Sequence, residues 1–316
     1  VPCATTEGVE LEGTWAMLAR YSLKLDSQTG GVVTMCPQNQ SAPAFLLVLV
    51  DMQASDAPNT FTATAIPCDL ELPSVSAMVG ECRPDQGNLL GVEIPIPNTL
   101  VQSLGDIPPV IVDTSLNDQT LAFAPMRFTW GSRADLLPVW QNDRQGCGMA
   151  DTDVGRSTLC ETACVDTCDE VLDDDGDGYP GVTVHVCGTT ADDVGSKVPC
   201  NAEDPTTPGV TLQGLIRMVF RTELELDGVA KSSCEASGTF GSDTTYAVVG
   251  ADAYLTSTRV SVASALQSLP LFEGIKPASA WRMVRVDGQH GAPDWQLPSD
   301  TMARCAAARS RRNELE

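Results

Sequence analysis

Residues 5–26 read TTEGVELEGTWAMLARYSLKLD, and residues 206–227 read TTPGVTLQGLIRMVFRTELELD. Offset by 201 positions and without a gap, 11 of these 22 positions are identical: Thr5, Thr6, Gly8, Val9, Leu11, Gly13, Met17, Arg20, Leu23, Leu25 and Asp26. Agreement that dense marks an internal duplication, and a repeat of this kind governs the expected fold. Each copy has period two. Leu11, Gly13, Trp15, Met17, Ala19, Tyr21, Leu23 and Leu25 share one face, while Glu12, Thr14, Arg20, Ser22 and Lys24 share the other, interrupted by Ala16 and Leu18. The second copy keeps the parity, with Leu212, Gly214, Ile216, Met218, Phe220, Leu224 and Leu226 set against Gln213, Arg217, Arg221, Glu223 and Glu225. Alternation of this sort predicts a strand with one buried face. A helix would spread the charges around its whole circumference. The strand is also long, roughly fifteen residues where five or six is usual, as in barrels and strongly coiled sheets.

Outward from the first copy, a Gly30-Gly31 turn leads to strand-like stretches at 32–35, 45–52, 61–66, 89–96, 110–113 and 121–130. Pro, Gly, Asn and Asp punctuate them, as in an all-β sandwich or barrel. The helix-like LVQSL at 100–104 is echoed by ALQSL at 265–269, and the Trp-Gln pairs at Trp140 and Trp295 close the two copies. The expected architecture is therefore mainly β: two homologous β-barrel or β-sandwich domains, residues 1–145 and 182–316, joined by a cysteine-rich calcium-binding linker at 146–181. The basic tail carrying Arg309, Arg311 and Arg312 reads as a solvated, fraying end.

The chain has 316 residues, ample for a buried core. Its net charge of −23 argues against a nucleic-acid partner, whose phosphates it would repel. The longest aliphatic run, residues 45–50, is far short of a membrane span. Twelve cysteines, no C-x-x-C and two histidines point away from zinc and haem sites and toward disulfides in an oxidising compartment. Val1-Pro2-Cys3 reads as a mature N-terminus from which a signal peptide was removed. Localisation is thus expected to be extracellular or at the outer cell surface.

Asp173-Asp174-Asp175-Gly176-Asp177-Gly178-Tyr179 is the stretch that names a ligand. Carboxylates at Asp173, Asp175 and Asp177 alternate ahead of Gly178, the first half of a calcium loop, because a hard cation needs several oxygens on a tightly curled backbone. Position twelve is Val184 rather than the bidentate Glu of an EF-hand. Three carboxylates and the Tyr179 carbonyl leave Ca²⁺ undercoordinated, so a further ligand is required. An all-oxygen set does not suit copper. In the strand expected at 182–186, His185 faces away from the valines and reads as solvent-facing. No G-x-S-x-G, H-E-x-x-H, phosphate loop or dinucleotide fingerprint occurs, and no enzyme activity is expected.

The Asp loop, followed by Cys200-Asn201-Ala202-Glu203-Asp204-Pro205 and Pro208-Gly209, resembles the MopE-type metal-binding repeat of bacterial surface proteins. That family's repeat runs roughly DxDGDGY, then a cysteine-flanked insert, then DCxDxDPxxxPG; here no Asp precedes Cys200. The resemblance implies that Glu203 or Asp204 returns to close the ion. The string DDDGDGYPGVTVHVCG at 173–188 is also similar to a feature of secreted proteins from bacteria with large genomes. Gly13-Thr14-Trp15 resembles the G-x-W of lipocalins, which implies a β-barrel carrier of a small apolar ligand; the second copy reads Gly214-Leu215-Ile216.

Landmark spacing gives the expected staples. Cys36 and Cys234 follow the repeated Asp, while Cys147 and Cys305 follow the closing Trp, which predicts Cys36–Cys147 and Cys234–Cys305. Cys68–Cys82 and Cys187–Cys200 then follow by elimination. Cys3, Cys160, Cys164 and Cys168 are left with three pairings; a Cys₃ metal site on the i, i+4 cysteines is the alternative. The resulting expectation is a secreted, calcium-binding structural or binding protein, working by self-assembly or with other extracellular proteins; a small-ligand carrier is the second reading.

Overall fold

Period-two patterning becomes pairing in a computed structural model of the chain, which describes residues 8–26, 33–36, 38–71, 75–79, 90–93, 98–133, 137, 171–190, 212–256, 258–260, 271–274 and 278–316. The strands from the first half are β1 (Gly13–Asp26), β2 (Val33–Met35), β3 (Gln38–Ala54), β4 (Thr60–Glu71), β5 (Val75–Val79), β6 (Leu90–Glu93), β7 (Val110–Asn117), β8 (Thr120–Phe123) and β9 (Met126–Trp130). The others are β10 (Val182–Thr190), β11 (Leu212–Ser232), β12 (Glu235–Leu255), β13 (Thr258–Val260), β14 (Leu271–Gly274) and β15 (Ala280–Arg285). Among the described residues two α-helices, α1 (Asn98–Ser103) and α2 (Thr301–Ser310), accompany them. The alternating parts of both copies, Gly13–Asp26 and the stretch from Leu212 onward, are strands, and the helix-like stretch at 100–104 forms α1 and the 3-10 turn Leu104–Asp106. Its echo at 265–269 and the closing Trp140 lie outside the described residues.

All fifteen strands belong to one antiparallel sheet, and the pairings close on themselves. β1 pairs with β3, β3 with β4, β4 with β7, and β7 with β8. β8 and β9 lie end to end along β11, β11 pairs with β12, and β14 and β15 lie end to end between β12 and β1. The circuit draws strands from both halves of the chain, so β1 and β11, which carry the matching sequence segments, share one barrel wall. Beyond the barrel, the N-terminal end of β11 and the C-terminal end of β12 continue as a wing, with β10, β6, β5 and β2 on one side and β13 on the other. A register shift at Arg217/Met218 marks where β11 leaves one part for the other; a bulge is the usual way a long strand changes direction.

Every second residue fills the barrel. Trp15, Met17 and Ala19 from β1 meet Leu46, Val48 and Val50, Phe123, Phe128 and Trp130, Leu224 and Leu226, Phe240, Trp281 and Met283. Aromatic rings pack edge-on, Tyr21 against Phe240 at 4.9 Å and Phe123 against Trp281 at 5.9 Å. The interior is therefore side-chain core, as the narrowness of a small barrel allows. Trp15 forms the floor beneath the Arg285 guanidinium, 4.9 Å from the ring centroid. Arg285 is 1% exposed and satisfied, donating from Nε to the Ser233 carbonyl (2.7 Å) and from Nη2 to the Glu10 carbonyl (2.6 Å), with Asp287 beside Nη1.

The outer face of β1 and β3 is buried too. Ala16, Leu18, Leu47, Leu49 and Ile66 pack against Trp295, Cys305, Ala308 and Leu315. The unbroken apolar run at 45–50 is thus a strand covered on both sides, where alternation has no reason to appear. The cover is the C-terminal segment, which is a correction to the expected fraying tail. Asp300 caps α2 by accepting from the Ala303 N–H at 2.8 Å, and the alanine-rich turn favours helix. Arg304 grips Asp51 with bonds of 2.9 and 2.7 Å, Arg309 donates to the Cys68 and Val101 carbonyls, and Arg312 reaches Asp69. These arginines are the clamp, not a solvated face.

Cys68 on β4 and Cys305 on α2 form a disulfide, their Cα atoms 4.8 Å apart. This overturns the expected Cys234–Cys305 and Cys68–Cys82 pairs. The physical reason is that α2 docks on the outside of β4, bringing Cys305 to Cys68, whereas Cys234 sits at the β11–β12 turn. Cys36, Cys187 and Cys234 are disulfide-bonded as well. Cys82, Cys147 and Cys200 lie outside the described residues, and with them the expected Cys36–Cys147 and Cys187–Cys200 pairs. Among the described residues no helix is long and apolar enough to cross a membrane.

Candidate metal centre

The Asp loop, residues 171–181, leads into β10 and is stitched at its base to the residue after β9. The Leu172 N–H donates to the Gly131 carbonyl at 2.8 Å, and the Gly181 N–H to the Leu172 carbonyl at 2.9 Å. Asp174 faces away from the triad. Its Oδ2 accepts from the Gly131 N–H (2.7 Å) and Arg133 Nη1 (2.8 Å), and its Oδ1 from Arg133 Nη2 (2.8 Å). This bidentate pair anchors the loop to the barrel. Val171, at the loop base, packs on Val219 and Val249, so the loop covers the outer face of β11 and β12.

Above that base, carboxylate oxygens of Asp173, Asp175 and Asp177 lie within 4.8 Å of one another. Two oxygens across one Ca²⁺ at ~2.4 Å each are separated by about that span. Asp173 accepts from the Asp177 N–H at 3.1 Å and the Gly178 N–H at 2.9 Å, which curls the loop. Asp177 accepts from the Tyr179 N–H at 2.8 Å and from the Thr183 hydroxyl. Asp175 is only 4% exposed; its Oδ2 accepts from the Thr183 N–H at 2.7 Å, and its Oδ1 has no hydrogen-bond partner. Burial pushes the Asp175 carboxyl up to about 7; the Thr183 N–H opposes this, and the charges of Asp177 and Asp173 add to it.

Such a set could hold a hard cation. A buried acceptor without a donor costs free energy, and an ion seated among the three carboxylates would supply its missing partner and relieve their mutual repulsion. Of the expected ligands, the structure brings Asp173, Asp175 and Asp177 together, with Tyr179 alongside. Glu203 and Asp204 lie outside the described residues. His185, on β10, is half-buried.

Four residues of the site carried no signal in the spacing: Asp174, Arg133, Thr183 and Arg217. Arg217 belongs to the face of β11 expected to be solvated, yet it is 3% exposed and lies 3.7 Å from the Tyr179 ring centroid. Gln213, on the same face, is 1% exposed. Both are corrections to the one-buried-face reading, and the reason is the cover that loop and wing provide. No protein-family model and no curated protein sequence matches the chain.

Proposed function

We propose that this chain is a secreted or cell-surface calcium-binding protein with a structural or binding role, serving as a subunit of an extracellular assembly. Asp173, Asp175 and Asp177 would hold one Ca²⁺, the Tyr179 carbonyl would add to them, and Glu203 or Asp204 would complete the set as the MopE-type resemblance implies. The observation that carries this reading is the buried Asp175 Oδ1, which faces two further carboxylates without a donor. The repeated segments would descend from one duplicated β unit, and the twelve cysteines suit an oxidising compartment. The lipocalin-like carrier reading is less favoured, since aromatic side chains occupy the barrel where a ligand would sit.

Isothermal titration of chelator-stripped protein tests it. Ca²⁺ should bind and, well above Kd, add about 2–4 kcal/mol of stability by mass action. Asp175→Asn should lose most of both effects. Absence of Ca²⁺ binding at millimolar concentration in the unsubstituted protein would sink the reading.

A further inference from the structure

Two arginines are buried along the long strands and differ in how they are satisfied. Arg285 spends its donors on two carbonyls and a carboxylate. Arg217 is nearly as buried, yet its Nε and Nη1 have no hydrogen-bond partner. Its one direct contact of note is the Tyr179 ring, which belongs to the Asp loop. A buried cation with unmet hydrogen-bond donors is costly unless nearby charge compensates it. Here that charge is carboxylate at a distance: Asp177 acts most strongly on the guanidinium, then Asp252 and Asp175. Asp252 is already ion-paired with Arg259 at 3.2 Å, and Asp174 with Arg133 at 2.8 Å. The charge that answers Arg217 is therefore chiefly that of Asp177 in the Asp loop.

Position explains the coupling. Thr183 is the register partner of Arg217 across β10 and β11. The same Thr183 donates its N–H to Asp175 and its hydroxyl to Asp177. Tyr179 takes its N–H to Asp177 while its ring covers the guanidinium. Arg217 thus lies beneath the triad, one residue behind two of its carboxylates.

We infer that Arg217 is the specificity-determining residue of the metal centre, setting it for a divalent rather than a trivalent ion. The inference rests on the metal reading above. Arg217 places one fixed positive charge beneath the three carboxylates, and its repulsion of a bound ion grows in proportion to that ion's charge. A trivalent ion is therefore disfavoured relative to a divalent one, whichever further carboxylate closes the set. Arg217 also weakens divalent binding, because it repels whatever cation enters.

Ca²⁺ and Tb³⁺ titrations of full-length unsubstituted, Arg217→Met and Arg217→Lys proteins test this, with Tb³⁺ luminescence sensitised through Tyr179 as the second readout. Repulsion scales with ion charge. Arg217→Met should therefore tighten Ca²⁺ about tenfold or more, and Tb³⁺ by about the three-halves power of that factor, near thirtyfold for a tenfold Ca²⁺ gain. Arg217→Lys should leave both constants within about threefold of the unsubstituted protein. Asp252→Asn, which removes a carboxylate whose charge acts on Arg217, should weaken both ions, Tb³⁺ more; it keeps the idea testable if Arg217→Met does not fold. An unchanged or falling Tb³⁺/Ca²⁺ preference in Arg217→Met, or an unmoved one in Asp252→Asn, overturns the inference while leaving the metal site intact. If the unsubstituted protein binds neither ion, the metal reading itself fails and this one with it.

Discussion

Ala16 and Arg217 occupy the same position in the two copies of the repeat, and both are buried, at 0% and 3% exposure. Their strands agree in backbone. Gly13 and Gly214, equivalent under the same offset, both have positive φ, at 134° and 155°. A Cβ at Gly13 would collide with the Asp287 carboxylate, and one at Gly214 with the backbone of Asp252 and Ala253. What differs is the cover. Ala16 lies between Leu49 and Val284 under the apolar side of α2. Arg217 lies between Thr183 and Gly250 under an acidic loop. The barrel wall specifies the inward residues in both copies, and whatever lands on the outside specifies the rest.

The sharpest way to break this comparison is to write the second copy into the first. Ala16→Arg would bury a guanidinium against apolar side chains with no loop carboxylate in reach. We expect a loss of about 3–5 kcal/mol, read from the midpoint of denaturant unfolding. A loss below about 1 kcal/mol would mean that α2 is displaced easily and is not a true cover.

Releasing the cover itself should cost somewhat less. Cys305→Ala removes a cross-link spanning 237 positions, worth about 2–4 kcal/mol. Amide exchange should quicken across 301–315 and along the outer face of β3 and β4, while the Asp loop at 171–183 stays as protected as before. Faster exchange spreading equally into the loop would show that the two covers are not independent.

The smallest effect separates the covers by pH. Because the folded carboxyl of Asp175 is raised above its ordinary value, to about 7, the fold binds more protons than the unfolded chain between about pH 4 and 7. Its contribution is present at low pH and fades as pH rises through 7. In chelator, the melting temperature should fall from pH 5 to 7.5, and Asp175→Asn should flatten that fall. Saturating Ca²⁺ should reverse its direction, since the ion competes with the proton. A chelated protein whose Asp175→Asn variant melts with the same pH slope would count against a shifted Asp175.

Some of this was legible in one dimension. Alternation over 13–25 and 212–226 announced strands because a pleated backbone repeats every two residues, and that periodicity is local. The carboxylates of Asp173, Asp175 and Asp177 were legible for the same reason: a curled loop brings near neighbours together. The helix α2 left a signal that could have been read, an Asp300 cap followed by Ala303, Ala306, Ala307 and Ala308; the density of arginine in 304–312 concealed it.

The sequence by itself thus determined the β class, the inward parity of both repeat copies and the identity of the acidic triad, all properties of residues close along the chain. Only the tertiary structure decided that strands of both halves close one circuit, that Cys68 meets Cys305, and that Arg217 lies beneath the triad. Each of these joins positions far apart, and the free energy that selects them comes from burial against a specific surface. No local pattern encodes which surface that will be, so Ala16 and Arg217, alike in register, show their difference only once their covers are in place.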